Sequence, residues 1–149
     1  RQAGQLFADK AQSQGVQLLL QVNPDVPRIK MDPSGISRML SNLIWNALQA
    51  CGKDTQKHIH QVFVRLDYYD KHHFMFEVED NASGMDRETY DNIFKEFFST
   101  KGHSGTGLGL MLVKRIVNNH NGKIEVLTKP GRGSLFRVIF RLAESRQAA

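Results

Sequence analysis

The chain has 149 residues, 40% hydrophobic and 23% charged, and its 20 Lys and Arg outnumber its 15 Asp and Glu for a net charge of +5. A chain of this length buries roughly 70% of its unfolded surface in one domain without staples, and its apolar runs exclude a disordered or low-complexity class. No stretch reaches the ~20 apolar residues of a membrane span, and the single cysteine, Cys51, excludes an internal disulfide framework and CxxC zinc sites.

The chain alternates helix and strand signals. Arg1 to Gln14 reads as a helix ended by Gly15, and Val16 to Val22 as a strand. Asn23-Pro24-Asp25-Val26-Pro27 is a turn, and Arg28 to Met31 reads as a short strand. Asp32-Pro33 opens a long helix, with Asp as N-cap and Pro where a missing N–H costs nothing. Its apolar stripe is Ile36, Met39, Leu40, Leu43 and Ala47, and Gly52 is the expected stop. Gln61 to Tyr68 and His73 to Glu79 read as a hairpin, Asp86 to Phe94 as a short helix and Leu110 to Asn119 as another, stopped at Asn121-Gly122. Lys123 to Leu127 and Leu135 to Leu142 flank the turn Pro130-Gly131-Arg132-Gly133. This pattern suggests an α+β layer, with helices on one face of a sheet.

The bases Arg28, Lys30, Arg38, Lys53, Lys57, Arg65 and Lys71 are scattered, which reads as a solvated surface and not as a nucleic-acid footprint. The chain begins at Arg1 without a leader-like segment, so it is expected to be a piece of a longer protein; residues 143–149 are expected to fray.

Several segments could carry chemistry. Gly105-Thr106-Gly107-Leu108-Gly109-Leu110 precedes an amphipathic helix. Its glycines let backbone approach a ligand, and the helix start offers unpaired N–H groups and a positive dipole end, which suits phosphate. Lys101 and His103 can add charge. The spacing is neither a P-loop nor a dinucleotide fingerprint, and the alternative is a plain flexible loop. Asn42 and Asn46 share one helix face, with Gln49 close on the wheel; they could offer amide oxygens to a hard cation or simply tie loops. Asp80-Asn81-Ala82-Ser83-Gly84-Met85 ends an apolar strand, where Asp80 could accept from a ligand's amine or form an Asx-turn. Phe94, Phe97 and Phe98 read as core or lid packing, and Pro130 to Ser134 as a hairpin turn. His58, His60, His72 and His73 lack a suitably spaced third ligand, and His120 reads as a helix cap.

In this order the segments resemble the ATP-binding domain of sensor histidine kinases. Asn42 to Ala50 resembles its asparagine box, Asp80 to Met85 its first glycine box, Phe94 to Phe98 its phenylalanine box and Gly105 to Leu110 its second glycine box. Pro130 to Ser134 resembles the later glycine turn, and Phe97 to Lys101 is similar to the nitrogen-regulation type. The likeness runs from about Val16 to Leu142.

The resemblance implies a two-layer α/β sandwich, a mixed and mostly antiparallel sheet with about three helices on one face, binding ATP and Mg²⁺ under a lid. It implies that residues 1–15 connect from a dimerisation and phosphoacceptor domain and that residues 16–142 form the catalytic domain. Asp80 would bind the adenine amino group, Asn46 would ligate Mg²⁺, and Asn42 and Gln49 would line the phosphates or metal. Gly105, Thr106, Gly107, Leu108 and Gly109 would cradle the phosphates, with Thr100 nearby and Lys101 reaching the γ-phosphate. Gly84, Met85, Phe98 and Ser134 would sit near the base or lid. Asn46 and Lys101 would be the catalytic pair. The function implied is γ-phosphoryl transfer to a histidine on the separate domain, with a response regulator downstream, a cytoplasmic setting, a parent that can be membrane-anchored, and no nucleic-acid or membrane contact by this domain, which is expected to be a monomer. A non-catalytic nucleotide sensor and an ATPase of the same fold are the alternatives. The ATPases carry a glutamate where this chain has Asn42. Ala82 stands where the family has its first glycine; a positive φ there would cost about 1 kcal/mol.

Overall fold

The computed structural model describes residues 2–95 and 109–143. Its order is α1 (Gln2–Gln14), β1 (Val16–Val22), α2 (Pro33–Lys53), β2 (His60–Asp70), β3 (His73–Asp80), α3 (Arg87–Asn92), α4 (Gly109–Asn119), β4 (Lys123–Lys129) and β5 (Gly133–Arg141). The five strands form one sheet in the order β1-β2-β3-β5-β4. β1 runs parallel to β2, as a crossover through α2 demands, and every other pair is antiparallel. The mixed, mostly antiparallel sheet expected above is present.

Local chemistry sets the helix ends. Asp32 accepts a hydrogen bond from the Ser34 N–H at 3.1 Å, and Pro33 occupies the first turn. α4 ends in a Schellman motif: Gly122 N–H donates to Val117 C=O at 2.9 Å and Asn121 N–H to Asn118 C=O at 3.0 Å. Asn121 takes the left-handed conformation, φ 55°. His120 adds a 2.8 Å bond from Nδ1 to the Ile116 carbonyl. α1 stops at Gly15, φ 68°.

Two expectations fail. Residues Arg28 to Met31 form no strand. Ile29 and Met31 pack on the core as a strand's inner residues would, yet no described strand pairs with them, so apolar spacing alone gave a false strand. Gly52 does not stop α2, which runs on to Lys53; Asp54 is the C-cap, its N–H donating to Ala50 C=O at 3.1 Å.

The core lies between the inner face of the sheet and the helices. α2 supplies Met39, Leu43, Leu48 and Cys51, α4 supplies Val113 and Val117, and the strands supply Val62, Phe74, Val78, Val138 and Phe140. α1 joins the same core through Phe7 and Ala11. α3 buries no residue, so among the described residues α1, α2 and α4 cover the sheet.

The outer face carries a row of paired residues across all five strands. Gln21, Arg65, Glu77, Arg137 and Glu125 are register partners from β1 to β4. Arg65 donates to Gln21 at 3.1 Å and Arg137 donates to both Glu77 at 2.8 Å and Glu125 at 3.2 Å. Glu77 is buried between its arginines. Arg65 is therefore a structural partner and not a plain surface base.

Two glycines bring the β4–β5 turn against the end of β3. A Cβ on Gly84 (φ 69°) would lie 2.2 Å from the Lys129 carbonyl oxygen, and one on Gly133 (φ 103°) would lie 2.0 Å from the Asp80 carbonyl oxygen. Gly131 (φ 78°) has open space around it. Gly131→Ala is expected to cost about 1 kcal/mol, backbone strain only. Gly133→Ala is expected to cost about 3 kcal/mol or more, because backbone must also move. Urea denaturation of both variants measures the difference; equal losses would refute the close-approach account.

Candidate nucleotide site

Strand alternation places Phe74, Phe76, Val78 and Asp80 on the inner face of β3. The last of these is a carboxylate, and it is 6% exposed. Its Oδ1 accepts from the Ala82 N–H at 3.0 Å, an Asx-type bond, and the Ser134 N–H also donates to the carboxylate. Burial pushes the Asp80 carboxyl up to about 6; the Ala82 and Ser134 N–H groups and the Lys57 ammonium act against that rise, and Glu79 adds to it. Below it, the last turn of α2 presents Cys51. Burial, then the charges of Asp80 and Asp54, push that thiol up to about 12, so it stays protonated.

The loop after Asp80 is tied on both sides. On the β4–β5 side, Gly131 N–H donates to Ser83 C=O at 2.7 Å and Met85 N–H to the Thr128 hydroxyl at 2.9 Å. Thr128 donates its one proton to the Gly133 carbonyl at 3.1 Å, so the Ser134 hydroxyl, 2.9 Å away, donates to Thr128. On the β2 side, the Asn81 side chain accepts from Gln61 N–H at 2.8 Å and donates to Ile59 C=O at 3.0 Å.

Ala82 is fully buried, and among the described residues only Asn121 takes a positive φ without being glycine. The backbone cost foreseen at Ala82 is not incurred. The glycine that this loop requires is Gly84.

α2 carries Asn42, Asn46 and Gln49, all half-buried, along its length. Asn42 Nδ2 donates to Arg38 C=O at 2.9 Å, which turns Oδ1 the other way. That oxygen lies 3.1 Å from where a Cβ on Gly109 would stand, at the first residue of α4. The start of α4 thus meets the middle of α2 on a glycine, with the Asn42 amide oxygen beside the positive end of the helix dipole. Amide oxygens are the donors that a hard cation prefers.

The structure brings together Asp80, Gly84, Met85 and Ser134 around the β4–β5 turn, near the C-terminal end of α2, and Asn42 and Gly109 at the middle of that helix. It commits Gly84 to hairpin packing and the Ser134 hydroxyl to Thr128. Phe98, Thr100, Lys101, His103, Gly105, Thr106, Gly107 and Leu108 lie outside the described residues. Lys57, Asn81 and Thr128 were missed from the sequence. Thr128 is the register partner of Ser134, so the hairpin pattern contained the cue; nothing local marked Lys57. Two histidines find carboxylates, His60 Nε2 with Asp54 at 2.8 Å and His73 Nδ1 with Asp70 at 2.8 Å. Among the described residues, no group of three or more His, Cys, Asp or Glu side chains could hold a metal ion.

Comparison with known proteins follows the same lines. The family described as histidine kinase-, DNA gyrase B- and HSP90-like ATPase matches residues 31–144. The sensor histidine kinase ZraS of Escherichia coli is 36% identical over 132 residues, which are 89% of this chain and 27% of that protein. The alginate biosynthesis sensor protein KinB of Pseudomonas aeruginosa is 33% identical over 139 residues, 93% of this chain and 22% of that protein. The chain therefore spans about a quarter of the length of these relatives. Full-length ShkA, crystallised with AMPPNP, superposes with a TM-score of 0.80 at 26% identity, over 97% of this chain and 30% of that one. The catalytic domain of histidine kinase ThkA gives 0.77 at 24% identity, over 95% and 90%, a likeness of fold.

The raised Asp80 carboxyl has a stability consequence. An ordinary carboxyl titrates near 3.9, so between about pH 4 and pH 6 the folded protein holds a proton that the unfolded chain has lost. That contribution is full below about pH 4 and is lost as pH rises through about 6. Asp80→Asn removes the buried charge and keeps one acceptor. It is expected to be about 1–2 kcal/mol more stable than the parent at pH 7.5 and no more stable at pH 4. Urea denaturation at the two pH values tests this, and a destabilised variant at pH 7.5 would contradict it.

Proposed function

We propose a function from one established premise: the chain belongs to the histidine kinase-, DNA gyrase B- and HSP90-like ATPase family. The chain binds Mg-ATP and donates the γ-phosphoryl group to a histidine on a separate dimerisation domain, from which residues 1–15 connect. The receiver domain of a response regulator is the next partner. The setting is cytoplasmic; among the described residues no helix is long and apolar enough to cross a membrane.

One observation supports the reading: two polar points, the buried Asp80 and the start of α4, meet α2 at separate places along its length. Cys51, electrostatically coupled to Asp80, and Asn42, beside Gly109, are nine residues apart, about 13 Å of helix. That separation suits a base at one end and a triphosphate at the other. At the base end, the Asp80 carboxylate accepts from the exocyclic amine of adenine, and Met85 packs beside the ring. At the other, the α4 terminus and the backbone from Gly105 to Gly109 hold phosphate oxygens. Asn42 and Asn46 offer amide oxygens to Mg²⁺, with Gln49 near, and the metal neutralises phosphate charge when bound. Lys101 reaches the γ-phosphate. Phosphoryl transfer needs little more than this positioning and charge neutralisation.

Hydrolysis is the weaker reading. An amide is no base, and the Asn42 Nδ2 already donates to Arg38.

The decisive experiment mixes the chain with γ-labelled ATP, Mg²⁺ and the parent's phosphoacceptor helices. Acid-labile, base-stable label on those helices is expected; free phosphate without label would support an ATPase, and tight binding with neither a sensor. Asn46→Ala is expected to abolish Mg²⁺-dependent transfer. Asp80→Asn is expected to lose the preference for ATP over GTP, read by competition binding.

A further inference from the structure

Lys57 belongs to none of the motifs above. It lies in the short loop between α2 and β2, half-buried, and its ammonium donates to two backbone carbonyls, those of Asn81 and Ala82, the latter at 3.1 Å. These are the two residues that follow Asp80.

The loop that carries Lys57 is itself fixed. Asp54 caps α2 and accepts from the N–H groups of Gln56 and Lys57, each at 3.3 Å. Its second oxygen also holds His60 Nε2 at 2.8 Å. The His60 bond and the Gln56 and Lys57 N–H groups hold the Asp54 carboxyl below the usual carboxylate range, so Asp54 stays ionised. The backbone of Lys57 is thus anchored before its side chain reaches out.

Three groups act electrostatically on or with Asp80 from the elements around it. Lys57 comes from the α2–β2 loop, Glu79 from β3 and the Cys51 thiol from α2. Lys57 is the positive one. The turn it grips is held from below by the buried Ala82 methyl and from the side by the Asn81 amide. An ammonium drawn out of water needs acceptors, and two carbonyls and a nearby carboxylate meet that need.

Resting on the nucleotide reading above, we infer that Lys57 is the positioning residue of the adenine pocket: its ammonium clamps the Asn81 and Ala82 carbonyls, fixing the Asp80 carboxylate in place and in the ionised form that accepts from an exocyclic amine. Glu79 opposes that ionised form, and Lys57 offsets it. A protonated Asp80 would present a donor where an acceptor is required.

The test compares Lys57→Met and Lys57→Arg with the parent, in the same chain. Without nucleotide, carboxyl NMR follows the Asp80 titration and amide exchange follows Ala82 and Ser83. Lys57→Met is expected to raise the Asp80 midpoint by about one pH unit and to speed exchange at both amides, and Lys57→Arg to restore both. With Mg²⁺ and AMPPNP at pH 7.5, calorimetry is expected to show about tenfold weaker binding for Lys57→Met, a reduced preference over the guanine analogue, and recovery in Lys57→Arg. Lys57→Gln keeps a donor without charge, so it is expected to move the midpoint more than the exchange, and it serves if Lys57→Met does not fold. An unchanged midpoint, or unchanged affinity in a folded Lys57→Met, overturns the inference alone. A parent chain that binds no nucleotide overturns the proposed function and the pocket role with it.

Discussion

The alternation of β3 carries Asp80 onto the same face as Phe74, Phe76 and Val78, so a group that prefers water ends in the layer between sheet and helices. Much of the surrounding structure answers that placement. Two N–H groups, from Ala82 and Ser134, point at the carboxylate. Gly133 lets the β5 backbone close on the Asp80 carbonyl, and Gly84 lets the Lys129 carbonyl close on the loop. Any side chain at either glycine would push the hairpin away from the carboxylate. The surroundings of Asp80 are therefore built by close backbone approach, with side chains as ties.

A buried carboxylate without a full ion pair costs stability, and among the described residues the fold tolerates that cost at Asp80. The other buried acid, Glu77, faces the opposite side of the sheet between Arg65 and Arg137. The contrast is informative. Glu77 is matched by charge because it serves the sheet. Asp80 is matched by neutral N–H groups and by one ammonium whose hydrogen bonds go to the turn carbonyls, which leaves acceptor capacity on the carboxylate.

The features legible in the sequence were those whose cause lies within a few residues. The Asp32-Pro33 start, the Asn121-Gly122 stop and both hairpins follow from capping and turn chemistry, and the structure has them. The false strand at Arg28–Met31 and the early stop at Gly52 share one origin. Alternation and glycine are local statements, while pairing and helix continuation are decided by what lies alongside. Ala82 shows the same limit differently: counting glycines located the loop, but only the backbone shows that Gly84 takes the positive φ. Lys57 was unreadable because its partners lie 24 and 25 residues ahead.

The net charge of +5 also changes meaning once the row across the outer sheet face is known. Arg65 and Arg137 are paired with Glu77, Glu79 and Glu125, so they lend no free positive field to a polyphosphate. Lys57 is turned to the base end of the site. Near Asn42, among the described residues, stand Arg38, one turn back on α2, and the start of α4, whose attraction for anions comes from aligned peptide groups and fades within a turn. Under the proposed function, phosphate recognition at that end would depend on contact distance, on a few local bases and on amide oxygens, and only weakly on the protein's overall charge. On the proposed reading, such a site would discriminate by shape and metal, as the positioning demanded by phosphoryl transfer requires.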